Sequence, residues 1–205
     1  MPALRPKFSS VGRLMRSAKA GFTLVELLVA AAASLILSGV ALMGLVTFQQ
    51  MSQQMDERLV QEAELRRALH LIATDIQEGK RILAGAPPRS GYSALFQSIR
   101  PDGSAVSYYS AERGTRVWAG PQILYRWDSR EARAYALVDQ IADVDGVNIK
   151  PSDVCMGSGT LVSGKAGVVV WIDGQSTAKV CLLGHLAKSN AGVKASIIAS
   201  TRVAP

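Results

Sequence analysis

The stretch KAGFTLVELLVAAAASLILSGVALMGLVTF, residues 19–48, is long, apolar and almost free of charge. No charged side chain occurs between Glu26 and Asp56. As a helix rising 1.5 Å per residue, the 27 residues from Phe22 to Phe48 extend about 40 Å, more than the roughly 30 Å hydrocarbon core of a bilayer. We therefore predict a membrane-spanning segment over residues 22–48, in which the lone carboxylate of Glu26 needs an explanation.

The positive charge of the chain is concentrated before this stretch. Among the 205 residues, 23 are basic and 16 are acidic, so the formal net charge is +7. Five of the basic residues precede Gly21 with no acid among them, which leaves 18 basic against 16 acidic residues in the remainder. Because positively charged flanks stay in the cytoplasm, we expect everything after Phe48 to lie on the far side of the membrane. Most of the excess positive charge therefore lies before Gly21, so it says little about the partners of the folded part.

The small residue Gly21 stands before the apolar run, whereas an ordinary secretory signal has a shorter apolar region followed by small residues at the cut. Cleavage after Gly21 would remove the charged tail and leave the apolar helix on the mature protein.

Past Phe48 the pattern stays helical and becomes amphipathic. No proline occurs between Phe22 and Ala86, and polar residues separate apolar ones at helical spacing. We predict one helix from about Phe22 to about Gly79, whose second half packs on a soluble head; AGAPPRSG, residues 84–91, ends it. The apolar stripe of this second half comprises Phe48, Met51, Met55, Leu59, Leu65, Leu69, Ile72 and Ile76.

The rest of the chain reads as short strands separated by turns. The strand-like runs are VSYYS, TRVWA, ILYRW, AYALV, GVVVWID, AKVCLLG and ASIIASTRV, and a hairpin should turn near Asp173 and Gly174. The predicted fold class is α+β: a long N-terminal helix, membrane-spanning in its first half, packed on a mainly antiparallel β head.

The run GFTLVELLVA resembles the N-terminal signature of type IV pilins and type II secretion pseudopilins. In this resemblance Gly21 precedes the cut, Phe22 becomes the new N-terminus, and Glu26 is the fifth residue of the mature chain. The resemblance implies that a prepilin peptidase cleaves after Gly21, that Phe22 is N-methylated, and that Glu26 pairs with the amine of a neighbouring subunit during assembly. The alternative for Glu26 is a side chain that reaches water at the membrane interface.

The resemblance also implies an organisation and partners. Residues 1–21 would be a cytoplasmic leader, 22–48 the transmembrane and assembly half of the helix, 49–84 its amphipathic half, and 85–205 an extracytoplasmic β-rich head. The protein would reside in the bacterial inner membrane as a single-pass protein and then in a fibre. Its partners would be other pilin subunits, an inner-membrane assembly platform and, before assembly, the lipid bilayer.

Later segments, EAELRRALHLIATDIQEGKRI and ALVDQIADVDGVNI, are similar to the PilW-like minor pilins or J-type pseudopilins. The function implied is a minor pilin that helps initiate or cap a type IV pilus. A type II secretion pseudopilin is the alternative within the family, and a signal-anchored surface binding domain is the alternative from another class.

Cys155 and Cys181 are the only cysteines. In an extracytoplasmic domain two cysteines usually form a disulfide. Closing a loop of this length stabilises a domain by about 3–4 kcal/mol on the chain-entropy estimate. Redox or metal chemistry is not indicated, because neither a CxxC spacing nor a histidine cluster accompanies them.

Other motifs point away from catalysis. GTLVSGKA, residues 159–166, has the frame of a phosphate-binding loop, but Ala166 replaces the magnesium-binding hydroxyl, so we read it as a flexible glycine loop. Asp143 and Asp145 in ADVDGVN do not complete a calcium loop and favour a turn. His70 and His185 are isolated. We predict no catalytic residue, no cofactor and no metal site.

Seven arginines between Arg89 and Arg133 alternate with tyrosines and tryptophans. Such interleaving suits a nucleic-acid strand, so DNA stays an alternative partner. Acidic residues dilute the charge, however, and strand alternation produces the same list, so a solvated sheet face is the preferred interpretation.

Overall fold

The computed structural model describes residues 23–85, 92–112, 120–142, 155–163, 167–186 and 189–202. The chain divides into two compact units, Met1–Gln49 and Gln50–Pro205, which are treated separately below. A single helix, α1 (Leu24–Glu78), is followed within the described ranges by nine strands. These are β1 (Arg81–Ala84), β2 (Ser93–Ile99), β3 (Ala105–Glu112), β4 (Gln122–Asp128), β5 (Arg133–Ile141), β6 (Thr160–Ser163), β7 (Val168–Asp173), β8 (Thr177–Leu186) and β9 (Ser189–Ser200).

In the first unit the described part of α1 is exposed along its whole length and is long and apolar enough to cross a membrane. Two of its hydroxyl groups are turned back onto the helix: Ser34 Oγ donates to the Ala30 carbonyl at 2.8 Å, and Thr47 Oγ1 donates to the Met43 carbonyl at 2.9 Å. A polar group in hydrocarbon needs a partner inside its own segment, and these bonds supply one. This part of the chain is therefore suited to an apolar surrounding.

The second unit is built on a sheet in which every described pair of strands is antiparallel. The strand order is β1-β2-β3-β4-β5-β8-β7-β6, and β9 pairs with β8. The predicted α+β class, a long helix on an antiparallel sheet, is confirmed. Runs predicted as strands lie in β3, β4, β5, β7, β8 and β9, and the β7–β8 hairpin turns after Asp173, with Gly174 at a φ of 63°.

The core of the second unit forms between α1 and the inner face of the sheet. Leu65, Leu69, Ile72 and Ile76 of α1 are each at most 3% exposed, as their spacing predicted. The sheet contributes residues from most of its strands, among them Ile82, Phe96, Val106, Tyr108, Leu124, Val138, Ile141, Val170, Ile172, Val180 and Leu182.

The first part of the predicted apolar stripe does not pack on the sheet. Met51, Met55 and Leu59 are 54–65% exposed, and burial along α1 starts only at Gln61. The spacing of these residues marks a helix face correctly, but no described residue of the sheet covers that face.

The helix ends at Glu78, next to the predicted end at about Gly79, and only residues 81–84, which were assigned to its amphipathic half, form a strand instead. After Glu78 the Gly79 amide donates to the Ile76 carbonyl at 3.0 Å, and the Lys80 amide donates to the Ile99 carbonyl at 2.6 Å. Arg81–Ala84 then forms β1, which pairs with β2. A side chain at Gly79 would collide with the Ser98 hydroxyl, so glycine is required where the chain turns from helix to strand.

Two strands and part of one motif also differ from expectation. Sequence patterning missed β2 and β6, and β6 occupies Thr160–Ser163, inside the motif read as a flexible glycine loop. Four residues that pair with β7 are too few for alternation to show. The run TRVWA, residues 115–119, lies outside the described residues.

Candidate assembly site and the charged cluster of the second unit

The N-terminus of α1 is capped by its own side chains. Thr23 precedes the first helical residue, and its hydroxyl accepts a hydrogen bond from the Glu26 amide at 3.3 Å. In return the Glu26 carboxylate accepts hydrogen bonds from the Thr23 amide at 3.0 Å and from the Thr23 hydroxyl at 3.1 Å. This reciprocal pattern, with threonine at the N-cap and glutamate three residues later, is a capping box.

The capping box assigns to Glu26 a role that the sequence reading overlooked. The pattern Thr-x-x-Glu immediately before an apolar run is visible in the sequence and is a recognised start signal of a helix. Oε2 of the Glu26 carboxylate accepts both hydrogen bonds that Thr23 donates. Gly21 and Phe22 lie outside the described residues, so cleavage, methylation and the pairing of Glu26 with a neighbour remain predictions.

A second group of functional interest joins α1 to the sheet inside the second unit. Asp75 is only 3% exposed although it is ionisable. Arg126 of β4 holds its carboxylate with two hydrogen bonds, Nε to Oδ2 at 2.7 Å and Nη2 to Oδ1 at 3.0 Å. The Tyr108 hydroxyl of β3 donates to Oδ2 of the same carboxylate. One helical carboxylate is thus bound from two neighbouring strands.

Asp128 extends this arrangement into a larger cluster of paired charges. Arg100 donates to both of its oxygens, at 3.2 and 3.0 Å, and Arg126 Nη2 donates to Oδ2 at 3.1 Å. Arg100 also lies 3.7 Å from Asp75. Two cations and two buried anions therefore lie together, and the more exposed Glu78 carboxylate lies 3.9 Å from Arg100 Nε. Their pairing offsets part of the cost of removing the buried charges from water. We call these residues the Asp75 cluster: Asp75, Arg100, Tyr108, Arg126 and Asp128.

The ionisation states follow from these contacts. Burial by itself would raise the pKa of the Asp128 carboxyl, but the hydrogen bond from Arg100 and the charges of Arg100 and Arg126 outweigh it and lower the pKa. Burial, together with the negative charge of Asp75, raises the pKa of the Tyr108 phenol well above its usual range. At neutral pH the phenol is therefore a hydrogen-bond donor and Asp128 is a carboxylate.

The cluster corrects the interpretation of the arginine-rich stretch. Arg100 is buried, the Arg126 side chain is 13% exposed, and both are paired with carboxylates, so at these two positions the structure fits neither a nucleic-acid surface nor a solvated sheet face. Arg130 donates from Nε to Asp102 at 3.0 Å, and the Arg133 guanidinium lies 5.2 Å from the Tyr135 ring centroid. The other three arginines of the stretch, at positions 89, 113 and 116, lie outside the described residues. The sequence signal that could have indicated the cluster is Asp75, a charge within the apolar stripe of α1.

Cys155 and Cys181 are joined in a disulfide, with their Cα atoms 6.1 Å apart. Both are buried, and with Val169 and Leu183 they form a small second core. The indole Nε1 of Trp171 donates to the Cys155 carbonyl at 3.2 Å. The bond ties Cys155 to the middle of β8, 26 residues further along the chain.

We expect replacement of both cysteines by serine to lower the free energy of unfolding by about 3 kcal/mol, because the unfolded chain regains the entropy of the closed loop. The measurement is a urea titration of the full-length protein in detergent, followed by tryptophan fluorescence. The parent protein treated with reductant is the matched control and should shift by the same amount. An unchanged midpoint in both samples would show that the bond does not stabilise the second unit.

Within the described residues the remaining motifs form no cluster of potential metal ligands. His70 and His185 are exposed, and the segment with Asp143 and Asp145 lies outside the described residues. Within the described ranges, no group of three or more histidine, cysteine, aspartate or glutamate side chains is placed to hold a metal ion.

The geometry described so far defines a class: a pilin-like α+β protein whose capped apolar N-terminal helix continues into a helix packed on an antiparallel sheet. Comparison with known families finds the prokaryotic N-terminal methylation motif at residues 16–42. This motif covers Gly21, Phe22 and Glu26, and it supports the resemblance of the chain to type IV pilins and pseudopilins. No curated protein and no solved structure matches the chain.

Proposed function

We propose that this protein is a minor pilin, a non-enzymatic prepilin that is cleaved after Gly21, N-methylated at Phe22 and built into a type IV pilus, where it helps initiate or cap the fibre. The observation that carries the proposal is the methylation motif at residues 16–42, which ends inside an apolar helix with Glu26 in its first turn. Residues 1–21 would be the leader, 22–48 the membrane and assembly segment, and 85–205 the extracytoplasmic head.

The chemistry of Glu26 supports this role. A carboxylate in a membrane segment is costly and usually has a polar partner. The N-terminal amine created at Phe22 of a neighbouring subunit is a cation of the right kind, and low dielectric strengthens its attraction to Glu26. Since both capping bonds end on Oε2, the second carboxylate oxygen is the proposed acceptor for that amine.

The partners follow from this proposal. A prepilin peptidase would act on the cytoplasmic side, the inner-membrane assembly platform would move the subunit out of the bilayer, and other pilins would pack against α1. The Asp75 cluster argues against DNA binding by Arg100 and Arg126, because both guanidinium groups are already paired with carboxylates. For the same reason a signal-anchored surface binding domain with DNA as its target is less well supported than a fibre subunit.

Cleavage is tested first. We expect the mature protein to begin with methylated Phe22 in mass spectrometry, because the peptidase accepts only a small residue before the cut. Gly21→Leu should block processing, and Gly21→Ala is the matched control that keeps a small side chain. An intact Met1 terminus in assembled fibres would contradict the proposal.

A type II secretion pseudopilin is the second candidate, because the same methylation motif serves both machines. A deletion strain separates the two by counting surface pili and by measuring secreted proteins. Loss of pili with normal secretion supports the minor pilin, and the reverse result supports the pseudopilin.

A further inference from the structure

Asp75 is the only charged residue among the buried positions in the described part of α1. It lies within an apolar stripe, between Ile72 and Ile76. A buried ion pair adds little net stability compared with apolar residues of similar volume, so stability alone does not explain a charge at this place. The best-attested use of such a group is to specify one arrangement among several.

Apolar contacts set the position of a helix on a sheet only coarsely, because hydrophobic attraction is not directional. Hydrogen bonds to charged groups require specific distances and angles, and a guanidinium that binds both oxygens of a carboxylate also orients its plane. Small rotations or slides of α1 that the apolar stripe tolerates would therefore break the contacts of Asp75 with Arg126 and Tyr108.

The main chain at Asp75 is held as well as its side chain. Ser98 Oγ of β2 donates to the Asp75 carbonyl at 2.9 Å. Together with Tyr108 on β3 and Arg126 on β4, three consecutive strands bind this one helical residue. Two of these contacts involve the carboxylate and one involves the backbone, so both rotation and translation of α1 are restricted.

The setting of α1 determines which of its faces stays uncovered. With Asp75 bound, the exposed face carries Ala63, Arg66, Arg67, His70 and Leu71. In a fibre, neighbouring pilins pack against one face of this helix, so the subunit must present that face reproducibly in order to fit.

We propose that the Asp75 cluster is a positioning device that fixes the rotation of α1 on the sheet and so selects the helix face offered to neighbouring subunits. The inference about neighbours rests on the proposed function, whereas the fixed rotation does not. Asp75, Arg126 and Tyr108 act as positioning residues, and Arg100 with Asp128 holds Arg126 in place.

A cross-linking experiment on the full-length protein in detergent tests the positioning. The Arg202 amide donates to the Gln77 carbonyl at 3.1 Å, and Arg202 Nη2 donates to Gln77 Oε1 at 2.8 Å. The pair Gln77→Cys with Arg202→Cys therefore reports the native setting of α1. The pair Glu78→Cys with Arg202→Cys reports a helix rotated by one residue, and the ratio of the two cross-linking yields is the readout.

The cluster is replaced by apolar side chains of similar size in the variant Asp75→Leu, Arg100→Met, Arg126→Met, Asp128→Leu. We expect this variant to stay folded while the yield ratio falls about fivefold or more, the range expected for coupled contacts. If it does not fold, Tyr108→Phe, which removes one hydrogen bond and no charge, is measured in its place and should lower the ratio in the same direction. An unchanged ratio in a folded variant overturns the proposal.

Fibre incorporation is measured separately, so the two proposals fail in different ways. If the deletion strain makes normal pili while the cluster variant has a lower yield ratio, the minor pilin is refuted and the positioning device is kept. If the parent protein is processed and assembled into pili while the cluster variant has an unchanged ratio, the positioning device is refuted and the minor pilin is kept.

Discussion

Asp75→Asn is expected to lower the free energy of unfolding by about 3–5 kcal/mol, the usual cost of breaking a buried ion pair on one side. The substitution preserves the shape of the side chain but removes its charge, and Arg126, whose side chain is 13% exposed, is left with one carboxylate instead of two. The amide also offers donors where the Tyr108 hydroxyl and Arg126 already donate. Urea titration of the full-length protein in detergent measures the change.

Glu62→Gln is the matched control for Asp75→Asn on the same helix. It breaks the exposed pair of Glu62 with Arg66, whose nitrogen and oxygen are 2.6 Å apart, and it should cost only about 0.3–0.5 kcal/mol. Comparing the two losses in unfolding free energy separates the effect of burying a charge from the effect of pairing it. Equal effects of the two substitutions would show that Asp75 contributes no more than a surface charge.

Glu26→Ala is expected to give a cleaved, membrane-resident protein that enters fibres poorly. A carboxylate costs about 2.5–3.5 kcal/mol at the centre of a membrane helix, so its removal does not hinder insertion. Loss of one partner of a desolvated charge pair costs about 2–5 kcal/mol, and this is the expected penalty for assembly. The measurement is the abundance of the subunit in sheared fibres relative to its abundance in the membrane. Glu26→Asp should be intermediate, because its charge remains but its reach is one methylene shorter.

The capping box requires two further variants to separate the roles of Glu26. Glu26→Gln keeps a residue that completes a capping box but loses the charge. Thr23→Ala loses the cap but keeps the charge. If the charge serves assembly, Glu26→Gln should be as defective as Glu26→Ala, and Thr23→Ala should assemble almost normally. The reverse order would show that the helix start, and not the pairing with a neighbour, is what Glu26 provides.

Features encoded in short stretches were predictable from the sequence. The extent of α1, its apolar first half and the buried positions Leu65, Leu69 and Ile72 follow from helical spacing and from the lack of proline. The β7–β8 hairpin follows from Asp173-Gly174 in the same way. The capping box is equally local, because it depends only on Thr23 and on Glu26 three residues later.

The sequence by itself determined the long helix, the individual strands of most of the head and the N-terminal signature, because each depends on residues within a few positions of one another. The tertiary structure determined the rest. Asp75 and Arg126 are 51 residues apart, and no spacing rule joins a helical aspartate to an arginine on a strand. Likewise, only packing against Ser98 shows why the chain turns at Gly79, and only the position of the sheet shows that Met55 is left uncovered. Such contacts depend on how distant elements are brought together, which local periodicity does not encode.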